Sequence, residues 1–250
     1  MSDHLDPEKL DRLAEVAVRT GVNLQKGQDL IITANMSALP LVQRIAVHAY
    51  KAGAGLVLPF FTDDAITLAR YENADDASFD RAADWFYEGL GKAYKGGAAR
   101  MAITGDDPML LADQDAGKVA RASKAVSIAG KPAMGPIVGF EVNWNIVAFP
   151  GAAWAARVFP DVPVQEAQSK LLDAIYDASR LDGADPVQNW ADHTAELKIR
   201  VKWLNAQNFE ALQYTGPGTD LRLGLAEGHI WKGGASPALN GVVCQPNIPT

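Results

Sequence analysis

Cysteine is almost missing from this 250-residue sequence; Cys244 is alone. A single thiol closes no internal disulfide, which suits a reducing compartment and gives the expectation of a cytoplasmic protein. Histidine is scarce, with four residues, and basic side chains are outnumbered, 23 Lys and Arg against 30 Asp and Glu, for a net charge of -7. That balance argues against nucleic acid as the main partner, because phosphate binding needs a basic surface, and it removes the polybasic route to anionic membranes. No apolar run approaches the length of a membrane span. The acidic, amphipathic opening MSDHLDPEKLDRLAE does not read as a signal peptide. Familiar catalytic signatures are missing too: there is no G-x-S-x-G, no H-E-x-x-H, no Walker loop and no G-x-G-x-x-G after a strand.

What is present is a strand–helix alternation. Asp6 and Pro7 punctuate the start of a helix with an apolar stripe at Leu10, Leu13, Ala14, Ala17 and Val18, and Gly21 marks its stop. DLIITA (29–34) and RMAITG (100–105) read as short buried strands, GLVLPFF (55–61) and NWNIVAFP (143–150) as further strands, with a helix over LPLVQRIAVHAYKAGA and mostly helix over 63–98. In that last stretch Phe79, Ala83, Phe86 and Leu90 are expected on one face. The fold class expected is α/β: an open, mostly parallel sheet flanked by helices.

From about residue 160 the pattern changes. Two long helices open on Pro, and in the second Trp190, Thr194, Leu197, Val201 and Leu204 recur at helical spacing. FEALQYT and TDLRLGL, split by Gly-Pro-Gly, read as a hairpin, and HIWKGG and GVVCQ read as further β text. We therefore divide the chain into an α/β amino-terminal domain, 1–208, and a β-rich carboxy-terminal segment, 209–250.

Candidate chemistry is sparse. His4 lies near the start, and His48 sits inside a helix. His193 is on a solvated helix face, and His229, in AEGHIW, is the most suggestive of the four. None comes with the converging partners that a metal requires. The carboxylate pairs Asp63/Asp64, Asp75/Asp76 and Asp106/Asp107 each stand where a helix should open, so complementing the helix dipole explains them. Asp106 keeps a functional reading, because it follows a strand at the edge where α/β folds bind ligands. In GKPAMGPIVGF (130–140) the prolines break up a phosphate cradle by removing amide donors. Trp144, Trp154, Trp190, Trp203 and Trp231 read as core or interface. From the residues alone no catalytic, cofactor-binding or metal site is assigned.

Four ordered stretches carry a resemblance: WNIVAFPGAAWAARVFPD (144–161), DPVQNWADHTAELKIRVKWLN (185–205), YTGPGTDLRLGL (214–225) and CQPNIPT (244–250). Together they resemble the metallo-aminopeptidases of the aminopeptidase T, or thermophilic aminopeptidase, family, over essentially the whole chain. The resemblance implies that Asn-x-Pro-Thr leads into paired glutamates, the first a metal ligand, and that the remaining ligands lie further downstream. The sequence stops at Thr250, ahead of them. The expectation is thus the amino-terminal part of a two-metal enzyme, zinc or cobalt, that removes amino-terminal residues from peptides. This part alone is expected to be inactive; its partners would be a carboxy-terminal catalytic domain of the same protein and further copies in a homo-oligomer, a dimer. A self-sufficient α/β binding or dimerisation module is the alternative, and a small-molecule enzyme working at the strand ends near Asp106 is a third reading.

Overall fold

The structure, a computed structural model, describes residues 4–249. The first helix, α1 (Pro7–Val16), starts as its punctuation predicts: the Asp6 carboxylate accepts hydrogen bonds from the Glu8 and Lys9 amides at 2.8 and 3.3 Å. It continues into a π-helical turn, Ala17–Gly21. Gly21 ends the run, but its smallness serves packing as well, since a Cβ there would lie 2.7 Å from the Asn145 side chain.

A five-stranded parallel sheet forms the centre: β1 (Leu30–Asn35), β2 (Val57–Thr62), β3 (Ala99–Thr104), β4 (Trp144–Ala148) and β9 (Asn247–Ile248), in the order β2-β1-β3-β4-β9. The four longer strands are those expected from their apolar, β-branched runs; the fifth comes from the far end of the chain. Strand β1 is buried on both sides. Leu30 and Ile32 join Leu10 and Leu13 of α1, Leu41 and Ile45 of α2 (Leu39–Lys51), and Leu172 and Ile175 of α8 (Val164–Ala178) in the main core. Ile31 faces the other way, toward Leu90 and Tyr94 of α4 (Asp84–Lys95) and Ile137 of α6 (Lys131–Val138). Each such side chain, fully buried, stabilises the fold by about 1.5–3 kcal/mol.

Residues 63–98 form α3 (Asp64–Asn73), a 3-10 turn (Asp76–Asp80) and α4 rather than one helical stripe. Extended backbone at Arg81 breaks the expected face. Phe79 packs with Tyr71 and with Ala122 of α5 (Ala116–Ala129), while Leu90 and Phe86 join the other cluster. The stretch 130–140 is mostly helix α6, with Pro132 in its first turn and Pro136 inside it. Pro136 cannot donate to the Pro132 carbonyl, and Gly91 of α4 lies against that carbonyl so tightly that a Cβ would come within 2.5 Å of its oxygen. The prolines thus shape a close helix crossing.

After α7 (Ala152–Val158) and α8, the 22-residue α9 (Pro186–Gln207) is capped by Asp185 and ends at left-handed Asn208. Only Pro186 and Trp190 of α9 are buried; Trp190 is fully enclosed, and its indole N–H donates to the Ser179 carbonyl at 2.7 Å. The hairpin follows as β5 (Ala211–Gly216) and β6 (Thr219–Gly224), with Gly218 at φ 74° in its turn, the geometry that position of a type II turn requires. Residues 229–234, expected as β, form no strand. They lie along α9 instead, where Asn205 donates to the Trp231 carbonyl at 3.0 Å and accepts from its amide at 2.8 Å. The chain then makes a two-residue ladder, β7 (Ser236–Pro237) with β8 (Val243–Cys244), and returns to the body. Asn23 donates to the Val243 carbonyl at 2.7 Å, Asn145 to the Gln245 carbonyl at 2.8 Å, and Ile248 is buried beside β4.

Candidate functional site

In the sheet order, β1 has β2 on one side and β3 on the other, so the chain switches direction across the sheet at the β1/β3 boundary. Ligands of open α/β sheets bind outside the carboxyl ends of the strands at such a point. Three strands deliver polar groups there. Asn35 closes β1, Asp64 follows β2, and Asp106 follows β3. The Asn35 amide donates to Asp64 Oδ1 at 2.7 Å, and its oxygen accepts from the Ser37 amide at 2.9 Å. A cleft of about 610 Å³ opens beside them over the sheet face. Phe60, Trp85 and Phe86 give it an aromatic wall, Met134 of α6 adds to it, and Arg100 lies among its lining groups.

Burial pushes the Asp106 carboxyl above its ordinary range, and the Asp64 charge pushes it the same way. Hydrogen bonding from Asn35 and from the Asp106 backbone opposes them. Arg100 and Tyr94 are a largely desolvated pair: burial lowers the guanidinium and raises the phenol, each partly offset by the other. The cleft has the volume and the aromatic-plus-polar lining of a small-molecule binding surface. No Ser, Thr or Cys is hydrogen-bonded to a histidine among the described residues, so no nucleophile–base pair is formed here.

The other candidates disperse. His4 is exposed. His48 Nε2 meets Asp11 at 3.1 Å on the body's surface, and His229 Nδ1 lies 2.9 Å from the Ala226 carbonyl. His193 stacks edge-on to Trp190, with ring centroids 5.8 Å apart. Asp63 caps α3 as expected, accepting from the Ile66 amide at 3.0 Å. Asp76 opens only a 3-10 turn and is held with Asp80 by Arg121. The Asp106/Asp107 pair opens no helix, because turns fill 108–113, and Asp107 faces Arg157 at 3.9 Å. No three His, Cys, Asp or Glu among the described residues stand close enough to hold a metal ion.

Of the tryptophans singled out, Trp190 and Trp154 serve the core, Trp144 meets Phe140, Trp231 ties to α9, and Trp203 is exposed. Trp85, which the sequence reading passed over, is the one that lines the cleft. Asn35 and Arg100 were missed as well. A polar residue directly after an apolar strand, and a charge inside the strand RMAIT, were the available signals.

The thermophilic metalloprotease family (M29) matches residues 6–250 of the chain. Aminopeptidase T of Thermus aquaticus is 44% identical over 243 residues, covering 97% of this chain and 60% of the relative. Aminopeptidase 2 of Geobacillus stearothermophilus is 35% identical, covering 97% and 59%. The solved structure of wild-type AmpT from Thermus thermophilus superposes with a TM-score of 0.91 at 43% identity, covering 97% of this chain and 60% of that one. The chain thus spans about three-fifths of the length of the relatives it matches. With its four long parallel strands, the Gly-Pro-Gly hairpin and the returning tail all inside the matched region, this chain belongs to the thermophilic metalloprotease family, M29.

Proposed function

We propose that this chain is the amino-terminal part of a metal-dependent aminopeptidase, one that removes amino-terminal residues from peptides with two divalent ions, zinc or cobalt. The observation that carries the reading is its identity with proteins named aminopeptidases, 44% for the Thermus aquaticus relative across 97% of the chain. The described residues do not fit a metal pair, since no group of three ligating side chains converges. In this reading the ligands follow residue 250, and the α/β sheet and its tail are the scaffold that adjoins them. The reading extends to a cytoplasmic homo-oligomer. A buried, lone Cys244 suits the compartment, and the exposed apolar face of the hairpin suits association.

The test is release of leucine from a leucyl substrate with added zinc or cobalt. Chain 1–250 is expected to give no chelator-sensitive turnover, and the protein extended beyond residue 250 is expected to give it. Metal-dependent turnover by 1–250 alone, surviving rigorous purification, overturns the assignment of the ligands to later residues. No turnover by the extended protein overturns the peptidase reading.

A further inference from the structure

A second cleft, of about 580 Å³, lies where the end of α8, the outer face of α9 and the returning tail meet. Its ionisable lining is all of one kind. Arg180, His193 and Lys232 contribute, and no Asp or Glu does, in a protein whose net charge is -7. The groups are posed by the fold. Arg180 sits in the left-handed turn after α8 at φ 55°; its guanidinium lies 5.6 Å from the Trp190 ring and donates to the Ala178 carbonyl at 3.0 Å. Trp190 is fixed in turn by its bond to Ser179. The loop bearing Lys232 is held on α9 by the paired Asn205–Trp231 hydrogen bonds, and Gly233 lies against Val201 so closely that an added Cβ would lie 3.3 Å from its side chain.

Gln245 completes the lining. It is 3% exposed; its backbone is paired with Gly21 and Asn145, while its side-chain oxygen is buried without a partner. A buried acceptor left unpaired costs free energy unless a donor from outside the chain satisfies it. His193 is held below its ordinary range by burial first and by the Arg180 charge second. Of the other charges around it, Glu196 pulls its pKa up and Arg200 pulls it down, and Lys232 lines the same cleft.

We infer that this cleft binds the carboxyl end of a short peptide, with Arg180 and Lys232 as the charge partners of the carboxylate and the orphaned Gln245 Oε1 accepting from a peptide N–H. The inference rests on the peptidase reading for the choice of peptide, while the anion chemistry stands on the cleft itself. Guanidinium and ammonium donors pair best with carboxylate oxygens when partly shielded from water. An anion seated there favours the imidazolium form of His193, so its pKa rises on binding and affinity strengthens as pH falls through the imidazole range. Such a site would measure peptide length from the carboxyl end.

The experiment is an NMR titration of the chain with the tripeptide Leu-Gly-Gly as free acid, as its carboxamide, and with inorganic phosphate as a separate arm. The free acid is expected to shift the Gly233 and Gly234 amides and the His193 ring saturably and to raise the His193 midpoint. The carboxamide is expected to bind at least tenfold more weakly. Arg180→Ala and Lys232→Gln are each expected to weaken the acid several-fold; Lys232 is on an exposed loop, so its variant remains informative if the first misfolds. Equal binding of acid and carboxamide, tighter saturation by phosphate than by the acid, or unchanged binding by Lys232→Gln overturns the proposal. Failure of this titration with an active extended protein removes the site and leaves the peptidase reading. A positive titration with an inactive extended protein does the reverse.

Discussion

Two parts of this molecule use apolar residues in opposite ways. In the sheet body, Leu10, Leu13, Ile32, Ile45 and Met101 are essentially removed from water. Along α9 and the hairpin, Ile199 is 72% exposed, Trp203 57%, Leu221 51% and Leu223 48%. Strand pairing places Leu212 opposite Leu223 and Tyr214 opposite Leu221, so these four share one uncovered face. The body holds its helices by packing. Helix α9 is held by the Asp185 cap, the Asn208 terminus, the Trp190 anchor and the Asn205 bonds to the Trp231 backbone, with Glu196 and Arg200 paired one turn apart. Most helical stability in proteins comes from a buried face, so α9 should be the less protected of the two.

Hydrogen exchange probes that contrast most strongly. Amides of β1 and β3 are expected to exchange orders of magnitude more slowly than those of β5 and β6, and equal rates would erase the distinction. Next in size is the anchor. Trp190→Ala is expected to destabilise the chain by about 3–5 kcal/mol in denaturant unfolding, whereas Trp203→Ala in the same helix should cost less than about 1 kcal/mol. Similar losses for both would mean that α9 is packed along its length. Third, Leu221→Ser with Leu223→Ser should lower the average mass seen by sedimentation at tens of micromolar while leaving the unfolding midpoint almost unchanged; a lower midpoint would show the hairpin face to be structural.

The smallest effect belongs to the strand-end rim. The folded Asp106 carboxyl is held above its ordinary range, so the folded chain keeps its proton where the unfolded chain has lost it. Stability from this group is therefore greatest below the ordinary carboxylate range and falls as pH rises through the folded pKa. Asp106→Asn is expected to raise the melting temperature slightly at neutral pH, with the gain vanishing in acid. A gain that persisted in acid would point to a cause other than charge burial.

How legible each region was follows from the same physics. Leu30 to Ala34, and Met101 to Ile103, lie in a sheet buried on both faces, and such strands show themselves as short apolar runs. Gly-Pro-Gly announced its turn through backbone geometry alone. Residues 130–140 were weighed only as a phosphate cradle that their prolines break up, so their helix went unread; Pro132 stands in its first turn, and the carbonyl that Pro136 cannot pair faces Gly91. Strand β9 is two residues long, with too little pattern to detect, and its pairing with Ile146 and Val147 is a contact across a hundred positions of sequence. The rim of Asn35, Asp64 and Asp106 was legible only at Asp106, because chain order does not reveal which strand ends become neighbours. The basic cleft was hidden for the same reason: Arg180, His193, Lys232 and Gln245 belong to separate segments.

Gly105 and Gly151 stand beside the rim, where the segments leaving β3 and β4 touch. Gly105 has φ 137°, a Cβ on it would lie 1.9 Å from the Phe149 carbonyl oxygen, and a Cβ on Gly151 would lie 1.8 Å from the Gly105 carbonyl oxygen. In a saturation library scored for abundance, both positions should tolerate nothing, and Gly105→Ala should cost about 2–3 kcal/mol. A survey scored only for activity would flag the same two positions and mistake them for chemistry. Comparing the two readouts at each site separates the residues that let the backbone close from those that meet a ligand.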